Sequence, residues 1–255
     1  NVTEIEILEE GNIFKGFNGG TATTDEGLVI TADNFDYNKS LNILITTGNV
    51  VINDTINDYE IFADKITYFR NQEKILTSGK TKAIIEKNFI FHSTNVVLFK
   101  NQGILLSPEK STIIDDEQTF YQLDKFEYTL DNKTLKGENI KVTTNYNKDY
   151  DEKDFYEFKD GIFNLKNKDF VASDTKISAQ KSIFDVSEND PRLYGVSSNK
   201  KGQILTVNKG VFTSCADKDS CPPWSIKSKK IIHDKDKRQI IYDHSILKIY
   251  DVPVL

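Results

Sequence analysis

Short runs of alternating apolar and polar residues fill most of the chain. The segments LNILITTGNVVIND and TLKGENIKVTT alternate in this way and are bounded by Asn, Asp and Gly. Ile, Val, Thr, Tyr and Phe, which favour strands, are abundant. No long window carries the i, i+3, i+4, i+7 apolar stripe of an amphipathic helix. The pattern therefore predicts an all-β protein.

One phrase of this pattern recurs along the chain. TADNFDY at 31–37 returns as FADKITY at 62–68. Counted from the residue before each phrase, Ile30 or Ile61, apolar residues stand at offsets 0, 2, 5 and 7 and Asp at offset 3. A spacing of about 30 residues is typical of stacked structural units. The segment FIFHSTNVVLFK (89–100) lies between the second and third copies, and it matches the repeat only if one residue is inserted. The copies are Ile30, Ala32, Phe35, Tyr37; Ile61, Ala63, Ile66, Tyr68; Tyr121, Leu123, Phe126, Tyr128; and, more weakly, Ile226, Ser228, Ile231, His233.

The offsets within each copy predict a corner. Offsets 0 and 2 share one face of a strand, and offsets 5 and 7 have the opposite parity, so a bulge or sharp bend must flip the face between them. Asp33, Asp64 and Asp124 suit such a bend because an Asp side chain bonds nearby backbone N–H groups. Stacked units that turn this corner predict two facing, mostly antiparallel sheets, a jellyroll or folded-over sandwich with an apolar interior.

The repeat positions that face this interior are candidates for a lipid-binding groove. Sheets that splay apart on one side form an apolar trough, where each buried methylene of an acyl chain contributes about 0.8 kcal/mol. Any single candidate is more simply explained as a core residue, and only the set supports lipid contact. The candidates are Phe35, Tyr37, Leu44, Val50, Ile52, Ile66, Tyr68, Ile75, Phe126 and Tyr128, with Phe89, Phe91, Val97 and Phe99 from the inexact copy.

Composition narrows the class of protein. The 255 residues fit one all-β domain or two smaller ones, and the net charge of −6 lacks the basic footprint of a nucleic-acid-binding protein. The mean hydropathy is −0.48. Apolar runs such as NVVLF are far shorter than the roughly 20 residues of a membrane-spanning helix. Since the chain lacks Met, starts at Asn and stops at YDVPVL, we expect a processed start and a continuation beyond its end.

Candidate catalytic and metal-binding patterns are weak. His92, His233 and His244 share no ligand spacing, so neither a metal site nor a cofactor is predicted. A glycosidase needs one pair of carboxylates, whereas the aspartates here recur with the repeat and suit corners. No G-x-S-x-G, P-loop or H-E-x-x-H phrase is present. The sequence therefore does not predict an enzyme.

Cys215 and Cys221 are the only cysteines, in the phrase CADKDSC. They can be two free thiols, or a mutual disulfide whose small loop would contribute about 2 kcal/mol in the chain-entropy model. A zinc site is not supported, because no second Cys or His pair with ligand spacing lies nearby.

Two sets of motifs resemble a known family. ITADNFDY…GNVVIND and IFADKITYF…ILTSGKT resemble the repeats of the OstA-like lipopolysaccharide-transport proteins, over roughly residues 1–145. The segment 205–255 is similar to the end of the periplasmic domain of the LptD branch of this family. There a T-x-C phrase, a PW phrase and a VPVL-type phrase lead into a membrane barrel. Here these are Thr213, Cys215, Pro223, Trp224 and residues 252–255.

The resemblance implies a fold and a function. It implies a single V-shaped OstA-like β-jellyroll over residues 1–255, in which 222–255 form the last strands leading toward a barrel that this chain lacks. It implies a non-enzymatic periplasmic domain, attached to the outer membrane in the full-length protein, that carries lipopolysaccharide by the acyl chains of lipid A. It also implies a third possibility for Cys215 and Cys221, namely disulfides to cysteines in the barrel.

The resemblance further implies partners at the two ends. An LptA-like bridge protein would add to the amino-terminal edge, residues 1–15, and an LptE-like lipoprotein and the chain's own barrel would lie at the carboxyl-terminal end. Lys229, Lys230, Lys235 and Lys237 could meet lipid phosphates, although ordinary solvated lysines are the simpler interpretation.

Three alternatives remain. The chain could be an LptA-type bridge protein. It could be a β-helical adhesin or structural repeat protein, which predicts shorter parallel coils with stacked Asn instead of a face flip. It could also be a carbohydrate-active jelly-roll enzyme, which predicts one unique carboxylate pair.

Overall fold

The regular structure is almost entirely β, as the alternating pattern predicts. The computed structural model describes residues 2–24, 27–181, 189–215 and 223–254. No helix in these ranges is both long and apolar enough to cross a bilayer. The strands of these ranges are β1 Val2–Leu8, β2 Ile13–Thr23, β3 Leu28–Ala32, β4 Asn34–Asn38, β5 Ile43–Asp54, β6 Tyr59–Phe69, β7 Lys74–Ile85, β8 Phe89–Thr94, β9 Val97–Phe99, β10 Ile104–Ser107, β11 Ser111–Asp115, β12 Phe120–Leu123, β13 Lys125–Thr129, β14 Thr134–Thr143, β15 Phe155–Asn164, β16 Phe170–Ser178, β17 Arg192–Lys201, β18 Ile204–Thr213, β19 Trp224–Asp234, β20 Gln239–Ile249 and β21 Val252–Pro253.

Single turns of 3-10 helix separate some strands, at Glu9–Gly11, Arg70–Gln72, Lys100–Gln102 and Tyr150–Glu152. The strands group into two compact units. Unit 1 consists of Asn1–Asp116 and Lys125–Asp131, and unit 2 of Glu117–Asp124 and Asn132–Leu255. The single jellyroll domain expected over 1–255 stays a prediction, and each unit is described by itself.

Unit 1 is built from two antiparallel layers. The first layer has the order β2-β4-β5-β6-β7-β9-β10-β13. The second has the order β2-β3-β5-β6-β7-β8-β11. The long strands β2, β5, β6 and β7 give one half to each layer. Strand β1 pairs with β2 and forms the amino-terminal edge.

The corner between the layers is a bulge, as the offsets predict. The pairing of β5 with β6 shifts register between Thr47 and Val50. At this place Gly48 and Asn49 both have positive φ, and the side chain of Asn49 donates to Asp33 Oδ2 at 2.9 Å. The backbone N–H of Asp33 donates to the carbonyl of Gly48 at 2.9 Å. The corner therefore combines an Asp on one strand with left-handed residues on the next.

Unit 2 repeats this construction. One layer contains β12, and β14 to β20 run through both layers as antiparallel neighbours, with β21 paired to the end of β20. Asn139 has positive φ and its side chain donates to Asp124 Oδ2 at 2.7 Å, as Asn49 does to Asp33. Asp174, Lys209 and His244 have positive φ at the matching bends of β16, β18 and β20.

The interior of unit 1 is built from rows of apolar residues on paired strands. One row of the first layer faces one row of the second, and burying a large side chain of this kind contributes about 1.5–3 kcal/mol. The first row is Tyr37, Leu44, Tyr68, Ile75, Leu98, Leu105 and Tyr128. The second is Ile30, Ile52, Ile61, Ala83, Phe91 and Ile113.

The prediction for Val97 and Phe99 is wrong in its choice of face. Both are half-buried on the outer side, where Lys74 Nζ lies 5.5 Å from the centroid of the Phe99 ring, and Leu98 takes the interior position at 2% exposure. The bend lies at Asn95, which has positive φ. The side chains that face the interior therefore change from one alternate set to the other one residue earlier than the sequence pattern predicts.

The inexact copy is in fact regular. Phe91, Ser93, Val96 and Leu98 are all buried and carry the offsets 0, 2, 5 and 7 without an insertion. The polar Ser93, whose hydroxyl bonds that of Ser111 at 2.7 Å, obscured this alignment in the sequence.

Candidate functional site

An aromatic cluster fills the interior of unit 1 between β8 and β13. The ring centroids of Phe91 and Tyr128 lie 5.0 Å apart, those of Phe91 and Phe126 5.5 Å, and those of Phe89 and Tyr128 6.4 Å. Strands β8 and β13 belong to different layers, so these rings hold the layers in contact. At this position there is no space for another molecule between them.

Toward the amino-terminal edge the same interior opens into a cavity of about 390 Å³. Phe14, Phe35, Tyr37, Leu44 and Tyr68 line it from the first layer, and its remaining walls include Ala22 and Ile30 of the second. Phe14, Tyr37 and Leu44 are only half-buried. The cavity is therefore an apolar mouth between the layers.

The apolar surface continues onto the edge strand. Ile7 of β1 pairs with Phe14, and Ile5 pairs with Gly16, which places both isoleucines on the interior face. Nothing among the described residues covers them, since Ile5 is 61% and Ile7 57% exposed. A large uncovered apolar surface of this kind is typical of an interaction site.

Polar groups at the rim hold the aromatic side chains. The hydroxyl of Tyr37 donates to Asn42 Oδ1 at 2.9 Å, and that of Tyr68 donates to Glu73 Oε2 at 2.9 Å. Lys100 Nζ lies 3.5 Å from the same Glu73 oxygen. The rings therefore face the cavity while their hydroxyls stay satisfied at its border.

Val97 and Phe99 lie on the outer face, and the other twelve predicted lining residues divide into three groups. Phe35, Tyr37, Leu44 and Tyr68 line the mouth. Val50, Ile52, Ile66 and Ile75 are core residues at no more than 1% exposure. Phe89, Phe91, Phe126 and Tyr128 form the aromatic cluster.

The sequence interpretation missed the contribution of β1 and β2. Phe14, Ile5 and Ile7 lie outside the repeated phrase and were not among the candidates. The sequence signal was the Asn-Gly pair at 18 and 19. In the structure both residues have positive φ, as Gly48 and Asn49 do at their corner.

Unit 2 has an interior cavity of its own, of about 330 Å³, with a different chemistry. Tyr121, Tyr156, Phe158, Phe163 and Phe170 contribute aromatic walls, and Phe158 and Phe170, from opposite layers, have ring centroids 5.1 Å apart. Charged residues stand at its border, namely Glu117, Asp154, Lys168, Lys200 and Lys235.

The cysteine pairing and the roles of the histidines stay predictions. Cys215 carries a free thiol whose Sγ lies 3.7 Å from the carbonyl oxygen of Trp224. Cys221 lies outside the described residues, so the disulfide stays a prediction. Burial, followed by the charge of Lys235, lowers the pKa of His233. In the described ranges, no three His, Cys, Asp or Glu side chains converge as metal ligands do.

Comparisons with known proteins identify the family. The family model for the LptA and LptD amino-terminal-domain lipopolysaccharide-transport proteins matches residues 29–190, more than half of the chain. A search of curated proteins gives no match. Among solved structures, the chain is similar to LptH, the LptA-homologous periplasmic component of the lipopolysaccharide transport device of Pseudomonas aeruginosa. The identity is 11%, the TM-score is 0.39, and the match covers 45% of this chain and 83% of LptH. On the family match, the chain belongs to the LptA/LptD amino-terminal-domain family of lipopolysaccharide-transport proteins.

Proposed function

We propose that this chain is the periplasmic domain of an LptD-like protein and carries lipopolysaccharide by taking the acyl chains of lipid A between its two layers. The observation that carries this proposal is the apolar mouth at the β1 edge of unit 1. It is lined by Phe14, Tyr37, Leu44 and Tyr68 and is continuous with the uncovered Ile5. Each methylene that enters contributes about 0.8 kcal/mol, so a few chains give useful affinity.

On this proposal the groove accepts acyl chains at the mouth, and the aromatic cluster closes it further in. Acyl chains that move deeper into unit 1 must separate the rings of Phe91 and Tyr128, which stand 5.0 Å apart. Transport on this proposal therefore includes a local opening of the layers at the aromatic cluster. The sugar and phosphate groups of the lipid stay at the solvent-facing border.

The open edge is the docking place for an LptA-like bridge protein. Strand β1 has one paired neighbour, β2, among the described residues, so its outer backbone groups can accept a further strand. A strand added there would cover Ile5 and Ile7 and extend the apolar mouth. At the other end, an LptE-like lipoprotein and a membrane barrel following residues 222–255 would receive the lipid.

A photocrosslinking experiment tests the groove. A photoreactive phenylalanine replaces Tyr37 or Tyr68 in cells that export lipopolysaccharide, and lipid adducts are detected by immunoblot. The matched controls are Asp36 and Thr67, which neighbour these tyrosines on the same strands with the opposite parity. We expect adducts at the two interior positions and none at the controls. Equal labelling of both faces, or none at the tyrosines, would contradict the proposal.

A further inference from the structure

Lys200 of unit 2 is half-buried and has no carboxylate partner among the residues that the structure describes. Its ammonium group donates to the carbonyl oxygen of Lys168 at 3.2 Å and makes no ion pair within the ranges that the structure describes. Burial, followed by the charge of Lys235, lowers the pKa of Lys200. Buried charges in proteins are normally paired, and among the described residues no carboxylate pairs with this half-buried ammonium group.

The acidic groups near Lys200 are already engaged. Asp169 accepts the backbone N–H of Gly202 at 2.8 Å. Asp154 accepts the backbone N–H of Gln180 at 2.9 Å and lies 3.6 Å from Lys235 Nζ. The carboxylate of Glu117, 68% exposed, reaches only to 3.9 Å from Lys168 Nζ. None of them contacts the Lys200 ammonium group.

Two further cations surround the same opening. Lys168 and Lys235 border the cavity beside Lys200, so three ammonium groups face it with the two carboxylates Glu117 and Asp154. The Glu117–Lys168 pair is partly exposed and contributes only about 0–1 kcal/mol, whereas Asp154 is buried and its carboxylate lies 3.6 Å from Lys235 Nζ. An anion on Lys200 would lie beside the ammonium groups of Lys168 and Lys235.

Aromatic rings form part of the wall of this cavity, beside polar residues such as Thr119 and Gln180. The rings of Phe158, Phe163 and Phe170 contact one another with centroid distances between 5.1 and 5.6 Å. A ligand that contacts both the lysines and the aromatic rings has an anionic head and at least one hydrocarbon chain. The volume of about 330 Å³ fits a head with part of one chain.

We infer that unit 2 holds the phosphate-bearing head of an acylated lipid at Lys200, Lys168 and Lys235, with an acyl chain against the aromatic walls. This inference rests on the proposed function and adds to it a site for the head group. Phosphate fits three lysines because its several oxygens each accept a charge-assisted hydrogen bond. An anion bound to Lys200 would also supply a negative charge that none of the described residues places there.

The test compares lipid A with its dephosphorylated form, which keeps the same acyl chains. Binding to the purified chain is measured by displacement of a fluorescent fatty acid, for the natural sequence, Lys200→Gln and Lys200→Arg. We expect the natural chain to prefer the phosphorylated lipid about tenfold, the value of one charge-assisted hydrogen bond. Lys200→Gln should lose most of this preference without changing the unfolding temperature, and Lys200→Arg should keep it. The matched control is Lys141→Gln, an exposed lysine on the outer face of β14.

Each outcome has a distinct meaning. Equal binding of both lipids to the natural chain overturns the head-group site and leaves the proposed acyl groove standing. Failure of both lipids to bind contradicts the proposed function itself. If inorganic phosphate alone displaces the bound lipid at concentrations near those of the lipid, the site recognises free phosphate, and a lipid head is excluded. An equal loss in Lys141→Gln assigns the preference to net charge and overturns the site.

Discussion

At the scale of single residues, the fold depends on positions where the backbone adopts the left-handed conformation. Gly48 shows why glycine is required at one of them. A methyl group added there would collide with the carboxylate of Asp33, and φ at this residue is +79°. The Asp that the repeat displays in the sequence is therefore only half of the corner. Its partner is the left-handed pair on the next strand.

Gly48→Ala is expected to destabilise unit 1 more than Gly19→Ala. Both glycines have similar positive φ, +79° and +84°, but a Cβ at Gly19 meets no atom within 4 Å. The strain of positive φ costs each variant about 1 kcal/mol, and the collision with Asp33 adds to it only at Gly48. Urea unfolding of the two variants measures the difference, and equal losses would show that the contact with Asp33 has no energetic role.

At the scale of the elements, the bend in each strand decides which residues reach the interior. Strands β8 and β9 illustrate this, because the turn at Asn95 places Val96 and Leu98 inside and Val97 and Phe99 outside. The alternating pattern alone was ambiguous here, since VVLF is apolar on both faces. To assign these four residues to a face, the position of the bulge must be known to within one residue.

Leu98→Ala and Phe99→Ala test this assignment. Leu98 is 2% exposed and its truncation leaves a cavity, so we expect a loss of about 2–5 kcal/mol in the free energy of unfolding. Phe99 is half-buried on the outer face beside Lys74, and its truncation should cost clearly less despite the larger side chain. Chemical denaturation of both variants gives the comparison. A larger loss at Phe99 would restore the original prediction.

Much of the element structure was predictable from the sequence. The strands and the face flip follow from alternation and from the recurring offsets. The aspartates stand at the corners as expected, but Asp33 and Asp124 accept the side-chain amides of Asn49 and Asn139 instead of backbone N–H groups. The copy at Phe91 was misaligned because Ser93 is polar, although its hydroxyl is satisfied inside by Ser111. The apolar–polar pattern cannot identify a buried polar residue whose hydrogen-bond partner lies on a neighbouring strand.

At the scale of the whole molecule, the proposed functional features lie at an edge and at two interior cavities. Strand β1 exposes Ile5 and Ile7 beside the mouth of unit 1. The aromatic cluster closes the interior beyond that mouth, and the lysines of unit 2 border a second cavity. On the proposed function, lipid passage and partner binding would take place at unpaired or incompletely covered parts of the sheets.

Ile5→Lys combined with Ile7→Lys is expected to weaken binding of an LptA-like bridge protein at least tenfold. The charges would have to be desolvated when an added strand covers this face, while the unfolding temperature should change little because both side chains are already exposed. A pull-down with the purified bridge protein measures the effect. Ile162→Lys, an exposed isoleucine of β15 in unit 2, is the control. Unchanged binding of the double variant would place the partner elsewhere.

The sequence by itself determined the all-β class, the spacing of the repeats, the corners and most of the interior residues, because alternation and turn chemistry act between near neighbours in the chain. Only the tertiary structure decided where that interior is filled and where it is open. Whether Phe91 meets Tyr128, or whether Ile5 stays uncovered, depends on contacts between layers and on the presence of a next strand. The same holds for Lys200, because only the meeting of distant strands around one cavity shows that no carboxylate of the described residues pairs with it.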